Sequence, residues 1–143
     1  MIEAEGDLFA EIGSAIIAFT THGTVNKRGA TPMLHGSARE ALRRFPELAE
    51  ELGGMISKYG NHVHPLSHGL VSFPVEHGWM EVPDPRLIER SAGELKALAD
   101  QNGWKKIIVP RPGCGGGGLK WEEVKPLLEP YFDERFTLVV KAR

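Results

Sequence analysis

Apolar residues along the chain fall into short continuous runs that are separated by stretches with helical spacing. Four apolar runs, rich in β-branched residues, predict strands buried on both faces, at 14–21, 69–73, 106–109 and 136–140. Between and beside them, apolar residues recur every three to four positions and predict helices at 37–44, 46–56, 85–102 and 121–132. This alternation predicts an α/β sandwich built on a mainly parallel sheet.

Capping residues mark where two of these helices should begin and end. Ser37 is expected to cap the first helix, and Glu40 lies three residues later, where it would complete a capping box. Asp84 followed by Pro85 predicts an N-cap and a first helical position. Gly103 is expected to end the same helix, because glycine adopts the left-handed conformation common at helix ends.

Composition indicates an ordinary globular domain. No linker, repeat or low-complexity segment interrupts the chain, so we expect one domain over residues 1–143. The formal net charge of −2 argues against general nucleic-acid binding, which requires a basic face. Cys114 is the only cysteine, which excludes an intrachain disulfide and fits a cytoplasmic location. No apolar run approaches the roughly 18 residues of a membrane span, and no signal peptide is apparent.

The strongest chemical signal is the segment IIVPRPGCGGGGLKWEEV at 107–124, where a buried strand leads into a glycine-rich loop and then a helix. Ligands of open α/β sheets lie beyond the carboxyl ends of the strands. Consecutive glycines expose backbone N–H groups and allow positive φ angles, so the loop at 113–118 is predicted to hold a phosphate. Its spacing matches neither a Walker A loop nor a dinucleotide fingerprint. Arg111 could contact that phosphate or form an internal salt bridge.

Other reactive side chains give weaker signals. His62 and His64 lie on one face of an extended segment, but no standard metal-binding spacing surrounds them, so we predict no metal site and no cofactor. Cys114 has no partner histidine nearby in the sequence and is expected to pack rather than to act as a nucleophile. Trp79 and Trp121 are expected to be packing residues, with Trp121 anchoring the helix after the glycine loop.

Taken in order, several short motifs resemble the landmarks of macro domains, in particular small bacterial and phage macro-like proteins and relatives that remove ADP-ribose from DNA or glutamate. The resemblance covers nearly the whole chain and is carried by Gly6-Asp7-Leu8-Phe9, Met33-Leu34-His35-Gly36-Ser37-Ala38, Arg44-Phe45-Pro46, Phe73-Pro74, Pro112-Gly113-Cys114-Gly115, Gly118-Leu119 and Trp121. It implies a three-layer α/β/α sandwich with a mixed, mainly parallel sheet, and ADP-ribose as the ligand.

The resemblance also implies which residues contact ADP-ribose. Asp7 would accept a hydrogen bond from the adenine amino group, with the backbone of Leu8 nearby, and Thr21 or Asn26 would contact the distal ribose. Two loops would enclose the diphosphate, the first through Gly36, Ser37 and Ala38 and the second through Pro112, Gly113, Cys114, Gly115, Gly116, Gly117, Gly118 and Leu119.

Two positions depart from the pattern of the hydrolytic relatives. Glu76 occupies the place of a catalytic lysine, and Gly117 stands where some relatives carry a catalytic aspartate. His35, in the first ligand loop, and Glu76 are therefore the remaining catalytic candidates, as a general base or as a group that orients water. Leu34 stands where family members often carry glycine, which predicts a reshaped first loop.

Two functions are compatible with the same cleft. The first is an enzyme acting on an ADP-ribose derivative, as an ADP-ribosyl hydrolase or an ADP-ribose phosphate phosphatase. The second is a module that binds ADP-ribose or a related nucleotide without turnover. In both cases the partner is ADP-ribose or an ADP-ribosylated macromolecule, bound by a monomer.

Overall fold

The apolar runs form the strands of one sheet, and the stretches with helical spacing form four helices beside it. A computed structural model of the chain describes residues 1–116 and 118–141. The strands are β1 (Ile2–Glu5), β2 (Ile16–Thr21), β3 (Leu70–Pro74), β4 (Ile107–Pro110) and β5 (Phe136–Val140). The helices are α1 (Gly36–Arg44), α2 (Leu48–Tyr59), α3 (Pro85–Asn102) and α4 (Trp121–Leu128), and a 3₁₀ turn at Ser67–Gly69 precedes β3.

The sheet has the strand order β1-β5-β4-β2-β3, and each ladder between neighbouring strands is parallel. One isolated antiparallel bridge joins Pro65 to Val71. Helices α1 and α2 connect β2 to β3, whereas α3 and α4 follow β3 and β4. The expected mainly parallel α/β sheet is therefore confirmed.

Alternate residues of the central strands enter two separate cores, which gives the molecule three layers. Ile17 and Phe19 of β2 pack with residues of α1 and α2, while Ala18 between them packs with residues of α3 and α4. Side chains of successive strand residues point to opposite faces, so an uninterrupted apolar run is what a strand covered by helices on both faces requires.

The four predicted strands are confirmed to within about two residues, the usual uncertainty of element ends, but β1 was not predicted. All four residues of β1 are exposed, because the strand forms the edge of the sheet and pairs only with β5. An edge strand without a buried face leaves no continuous apolar run to detect. The final helix ends at Leu128, earlier than the predicted 132, because Pro130 has no N–H with which to continue the helical hydrogen bonds.

The predicted capping box of the first helix is wrong. Helix α1 begins at Gly36, so Ser37 lies inside it, and the N-cap residue His35 provides no side-chain cap. The Ser37 hydroxyl instead contacts the Thr20 N–H and the Thr20 Oγ1, each at 3.0 Å. Glu40 forms ion pairs with arginines of its own helix. The hydroxyl is thus used in a tertiary contact that joins α1 to β2.

The predicted ends of α3 are confirmed. Asp84 Oδ1 accepts a hydrogen bond from the Arg86 N–H at 2.9 Å, and Pro85 occupies the first turn. Gly103 ends the helix in the left-handed conformation, with φ of 66°. None of the helices in the described ranges combines the length and apolarity that crossing a bilayer would require.

Candidate functional site

A cleft of about 530 Å³ opens where three adjacent strands reach their carboxyl ends. Its floor is formed by the last residues of β2, by the residues after β3 and by the end of β4. Its walls are the segment before α1, the loop between β3 and α3, and the glycine loop after β4. The lining residues are Thr20, Thr21, His22, Pro32, Met33, Leu34, His35, Gly36, Ser37, Ala38, Val75, Glu76, Trp79, Met80, Pro83, Pro110, Arg111, Gly113, Gly115 and Gly116.

The amino-terminal end of α1 faces this cleft through Gly36, Ser37 and Ala38. Among the described residues, the backbone N–H groups of these three have no acceptor, and the first turn carries no acidic residue. The next N–H, that of Arg39, donates to the His35 carbonyl at 3.2 Å. Unpaired N–H groups and the positive end of the helix dipole favour an anion at this position.

The glycine loop forms the opposite wall and is folded back on itself by two backbone hydrogen bonds. Leu119 N–H donates to the Gly113 carbonyl at 2.7 Å, and Gly118 N–H donates to the Gly115 carbonyl at 3.2 Å. A Cβ on Gly118 would lie 2.2 Å from the Gly113 oxygen, so this close approach requires glycine. Gly115 and Gly116 line the cleft, and within the described part of the chain their N–H groups have no acceptor.

Thr21, the last residue of β2, contributes a buried hydroxyl to the cleft. Its residue surface is only 5% exposed, and its Oγ1 has no hydrogen-bond partner among the described residues. A buried hydroxyl without a partner costs stability, and such groups are rare in folded proteins.

Besides Arg111, three titratable side chains line the same cleft: His22, His35 and Glu76. Burial raises the pKa of Glu76, against an opposing effect of His35. Burial also lowers the pKa of His22, against the effect of a hydrogen bond with the Pro32 carbonyl. The His22 Nδ1 accepts from the Thr24 N–H at 3.1 Å, which fits a neutral imidazole.

Asn61 supports Glu76 from behind the cleft and was not predicted from the sequence. Its Nδ2 donates to the Glu76 carbonyl at 3.1 Å. A Cβ on Gly23 would lie 2.9 Å from the Asn61 Cγ and 2.7 Å from the His77 carbonyl, so Gly23 permits this contact. Asparagine in a loop gives no specific sequence signal, and its role depends on a contact between segments that are distant in the chain.

Trp79 was expected to be a packing residue, and this expectation is wrong. It is 45% exposed and forms part of the cleft wall. Trp121, by contrast, packs against one of the two cores and donates from Nε1 to Glu3 Oε1 at 2.9 Å. Both tryptophans lie at element boundaries in the sequence, so only their tertiary surroundings distinguish them.

Asp7 and Asn26 are predicted ligand residues, but neither forms part of the cleft wall. Asp7 Oδ1 accepts from the Phe9 N–H at 3.1 Å, and its Oδ2 lies 3.6 Å from Arg44 Nη2. Asn26 Oδ1 accepts from the backbone N–H groups of Arg28 and Ala30, which closes a local turn. The Asn26 side chain is therefore already paired within its own loop.

Several further predicted residues do not form part of the cleft wall. These are Leu8, Pro112, Cys114, Gly118 and Leu119, while Gly117 lies outside the described residues. The thiol of Cys114 is half-buried and its Sγ lies 3.5 Å from the Pro112 carbonyl. Burial raises the pKa of this thiol, which keeps it protonated and agrees with a packing role.

Arg111 lies at the cleft edge and forms internal contacts, which is one of the two roles that the sequence suggested for it. Its guanidinium lies 4.7 Å from the centre of the Trp121 ring and 3.6 Å from Glu3 Oε1. These contacts join the edge strand β1 to the glycine loop and to α4. In residues 1–116 and 118–141, no group of three or more His, Cys, Asp or Glu side chains is arranged to hold a metal ion.

No protein-family model matches the chain. A DNA ADP-ribosyl transferase–DNA ADP-ribosyl glycohydrolase fusion protein of Thermosipho africanus is 29% identical over 82 residues, which are 56% of this chain. The matched part is 21% of that relative, so the chain corresponds to about a fifth of its length.

Solved structures resemble the chain over almost its whole length. The macrodomain of Mycobacterium tuberculosis DarG has a TM-score of 0.80 at 20% identity, with 99% of this chain and 98% of that chain covered. The macrodomain of Thermus aquaticus DarG has a TM-score of 0.74 at 21% identity, with 99% and 97% covered. Thermosipho africanus DarTG in complex with ADP-ribose has a TM-score of 0.72 at 22% identity, with 96% and 40% covered. These likenesses show that the chain has the macrodomain fold.

Proposed function

We propose that the chain binds ADP-ribose, or a molecule that carries it, with the diphosphate held between α1 and the glycine loop. The observation that carries this proposal is that both walls of the cleft present backbone N–H groups without an acceptor among the described residues. Gly36–Ala38 provide these groups on one wall, and Gly115 and Gly116 provide them on the other. Two such elements can bind the two phosphates of a diphosphate without any net positive charge. A similar structure is described as a complex with ADP-ribose, which supports the same ligand.

The remaining contacts of ADP-ribose can be assigned on the same basis. The Thr21 hydroxyl, buried and without a partner among the described residues, would bond to the distal ribose. Asp7 would accept a hydrogen bond from the adenine amino group. A carboxylate can accept several hydrogen bonds, and the Phe9 N–H uses only one of them. Asn26 is a weaker candidate than Thr21, since its side-chain oxygen already serves the local turn.

Calorimetry with ADP-ribose, AMP and ribose 5-phosphate tests this proposal. We expect ADP-ribose to bind more tightly than either fragment, because only the whole ligand spans both walls and Asp7. Bound ligand at 100 times Kd should also raise the free energy of unfolding by about 2.7 kcal/mol. The absence of both heat and thermal stabilisation at millimolar ADP-ribose would contradict the proposal.

A second candidate function, hydrolysis of an ADP-ribosyl bond, is favoured by the placement of Glu76. Its carboxyl group lines the cleft with His35 and His22, and burial raises its pKa. A carboxylate with a raised pKa is a better general base near neutral pH. In this mechanism Glu76 takes a proton from a water molecule, the water oxygen attacks the anomeric carbon of the distal ribose, and the bond to the modified group breaks, with that group taking the bonding electron pair and a proton from solvent.

The hydrolysis assay should measure the release of free ADP-ribose from ADP-ribosylated peptide, from ADP-ribosylated DNA and from ADP-ribose 1″-phosphate. We expect Glu76→Gln to abolish release while ADP-ribose still binds, because the amide keeps the shape of the side chain and loses its basicity. If the unmodified chain binds ADP-ribose and releases none from any of these substrates, the non-catalytic module is the correct function.

A further inference from the structure

The loop at 77–83, between β3 and α3, displays apolar side chains at the mouth of the cleft; we call it the flap. Trp79 is 45% exposed, and Met80 and Val82 are each 80% exposed. Leu34, on the other side of the cleft, is 49% exposed. The described residues include six exposed large hydrophobic side chains; of these, Leu34, Trp79 and Met80 line the cleft, and Val82 lies two residues after Met80 in the flap. Clustered exposed apolar side chains indicate a binding surface.

The flap is fixed in place by several hydrogen bonds. His77 Nε2 and Asp84 Oδ2 lie 2.7 Å apart and close its base, and the Trp79 N–H donates to Thr24 Oγ1 at 2.7 Å. The Asp84 N–H donates to the Val75 carbonyl at 2.9 Å. A loop that is fixed by such contacts while it exposes its apolar side chains is preorganised for a partner, which lowers the entropy cost of association.

The backbone of Met80 has an unfavourable conformation that helps to expose its side chain. Its φ of 66° lies in the left-handed region, which is unfavourable for a residue with a side chain. The Glu81 N–H donates to the Gly78 carbonyl at 3.2 Å, which closes the tight turn that contains Met80. The turn therefore directs the Met80 side chain outward, although an extended backbone would be less strained.

The charge of the flap limits the kind of partner that it can contact. The segment 76–84, EHGWMEVPD, contains three carboxylates and neither lysine nor arginine. A nucleic-acid backbone would be repelled by this surface, since phosphates bind where basic side chains neutralise them. A polypeptide with an apolar side chain next to lysine or arginine would be complementary to it. On the α1 side of the cleft, Arg43 and Arg44 are paired with Glu40, and Arg39 is exposed, so the basic side chains lie on α1 and the carboxylates lie on the flap.

We propose that the flap and Leu34 dock the polypeptide to which ADP-ribose is attached, with an apolar side chain against Met80 and Val82 and a basic side chain near Glu81. This inference rests on the proposed binding of ADP-ribose in the adjoining cleft. It specifies the class of the modified molecule, a protein segment rather than a nucleic acid. The cleft binds the ADP-ribosyl group, and the flap contacts the polypeptide that carries this group.

Binding of three probes to the full chain tests the inference. They are free ADP-ribose, a ten-residue peptide with one ADP-ribosylated side chain flanked by leucine and arginine, and a ten-nucleotide single-stranded DNA with one ADP-ribosylated base. We expect the peptide to bind about tenfold more tightly than free ADP-ribose, because burial of one apolar side chain contributes about 1.5 kcal/mol or more. We expect the DNA to bind no more tightly than free ADP-ribose.

Two substitutions locate the gain in affinity, and each has a matched control. Val82→Ser and Glu81→Lys should each remove most of the gain shown by the peptide, and neither residue lines the cleft. Tyr59→Ser removes an exposed apolar side chain elsewhere, on α2, and Glu50→Lys makes the same charge change on α2. Both controls should retain the full gain.

The outcomes separate the two proposals. If free ADP-ribose does not bind, the proposed function itself fails. If free ADP-ribose binds and the peptide shows no gain, or the DNA probe binds more tightly than the peptide, the flap does not dock a polypeptide. A gain that survives both flap substitutions would also overturn the inference, because it would arise elsewhere on the surface.

Discussion

At the scale of single residues, the cleft is distinguished by polar groups whose pairing is incomplete. Other buried polar side chains are paired: the Ser72 hydroxyl, for example, accepts from the His64 N–H and donates to the His62 carbonyl, and His64 Nε2 contacts the Gly60 carbonyl. Among the described residues, three buried side-chain atoms have no partner: Thr21 Oγ1, on a residue that lines the cleft, and Thr31 Oγ1 and Asn61 Oδ1, on residues outside the cleft wall. This contrast makes the contribution of the cleft hydroxyl measurable.

Thr21→Val should change stability and ligand affinity in opposite directions. Valine has nearly the same shape, and it removes a buried hydroxyl without a partner, so the unliganded chain should be as stable or more stable. ADP-ribose affinity should fall roughly tenfold, the effect of losing one hydrogen bond of about 1.4 kcal/mol. Calorimetry and thermal unfolding measure the two effects.

Thr31→Val is the matched control for this prediction. It also removes a buried hydroxyl that has no partner among the described residues, and it should leave ADP-ribose affinity unchanged because Thr31 is not part of the cleft wall. Equal losses of affinity in the two variants would show that Thr21 acts through the fold rather than by contact.

Glu76 should make ADP-ribose binding depend on pH. Its pKa is raised by burial, so it is protonated over a wider range than an exposed carboxyl, and its ionised form would repel a nearby diphosphate. We therefore expect affinity to fall as the pH rises through this raised pKa. Titrations from about pH 4 to about pH 8 measure this, and Glu76→Gln should flatten that part of the profile. An unchanged profile in the variant would assign the dependence to another group.

At the scale of elements, α1 and the glycine loop reach the cleft by different routes. Helix α1 has no side-chain cap, and the Ser37 hydroxyl forms a hydrogen bond that joins it to β2. The glycine loop is fixed by backbone bonds and by the close approach of Gly118 to the Gly113 carbonyl. In both elements, backbone N–H groups can donate to a ligand because no side chain among the described residues accepts a hydrogen bond from them.

Gly118→Ala should therefore distort the glycine loop. The new Cβ would lie 2.2 Å from the Gly113 oxygen, a backbone atom that moves only if the loop moves. We expect a loss of about 1–3 kcal/mol in the free energy of unfolding, typical of overpacking, together with weaker ADP-ribose binding. Denaturant unfolding and calorimetry measure both effects.

Gly54→Ala is the control for this substitution. Gly54 lies in α2 with open space around its Cα, so alanine should raise the free energy of unfolding by about 0.5–1 kcal/mol through helix propensity. Affinity for ADP-ribose should not change. Retained binding by Gly118→Ala would contradict the proposed role of the loop.

At the scale of the whole molecule, Arg135 joins the last strand to the end of the longest helix. Its Nη2 lies 2.8 Å from Asp100 Oδ1 and 2.7 Å from Asp133 Oδ2. Hydrogen bonds from Arg135 lower the pKa of Asp133 from 3.8 to about 2. Because this pKa is lowered in the folded chain, the stabilisation is present above the unfolded pKa and is lost as the pH falls through the folded value.

Arg135→Gln should reduce stability at neutral pH and weaken its dependence on pH between 3.8 and about 2, the two pKa values of Asp133. The loss at neutral pH should be small, because the pair is partly exposed to solvent and is screened by it. Arg86→Gln is the control, since the Arg86 side chain makes no ion pair with any described residue. Denaturant unfolding at several pH values measures this, and identical pH profiles for the wild type and Arg135→Gln would contradict it.

The sequence indicated more of the fold than of the site. The central strands and all four helices could be predicted because burial on both faces, capping and helical spacing leave local patterns. Strand β1 could not, because it has no buried face, and neither could the use of Ser37 as a contact to β2. The glycine loop and Glu76 were predicted near the ligand, whereas Asn61 and the exposed Trp79 were not. Monomeric state and cytoplasmic location stay predictions.

By itself, the sequence determined the alternation of strands and helices, the two-sided burial of the central strands and the position of a glycine loop after a buried strand. These depend on interactions between residues that are close in the chain. Only the tertiary structure decided that the uncapped end of α1 faces the glycine loop, that Thr21 is left without a partner among the described residues and that the flap residues are exposed. These features depend on how distant segments pack together, and that packing determines which donors and apolar side chains remain unpaired.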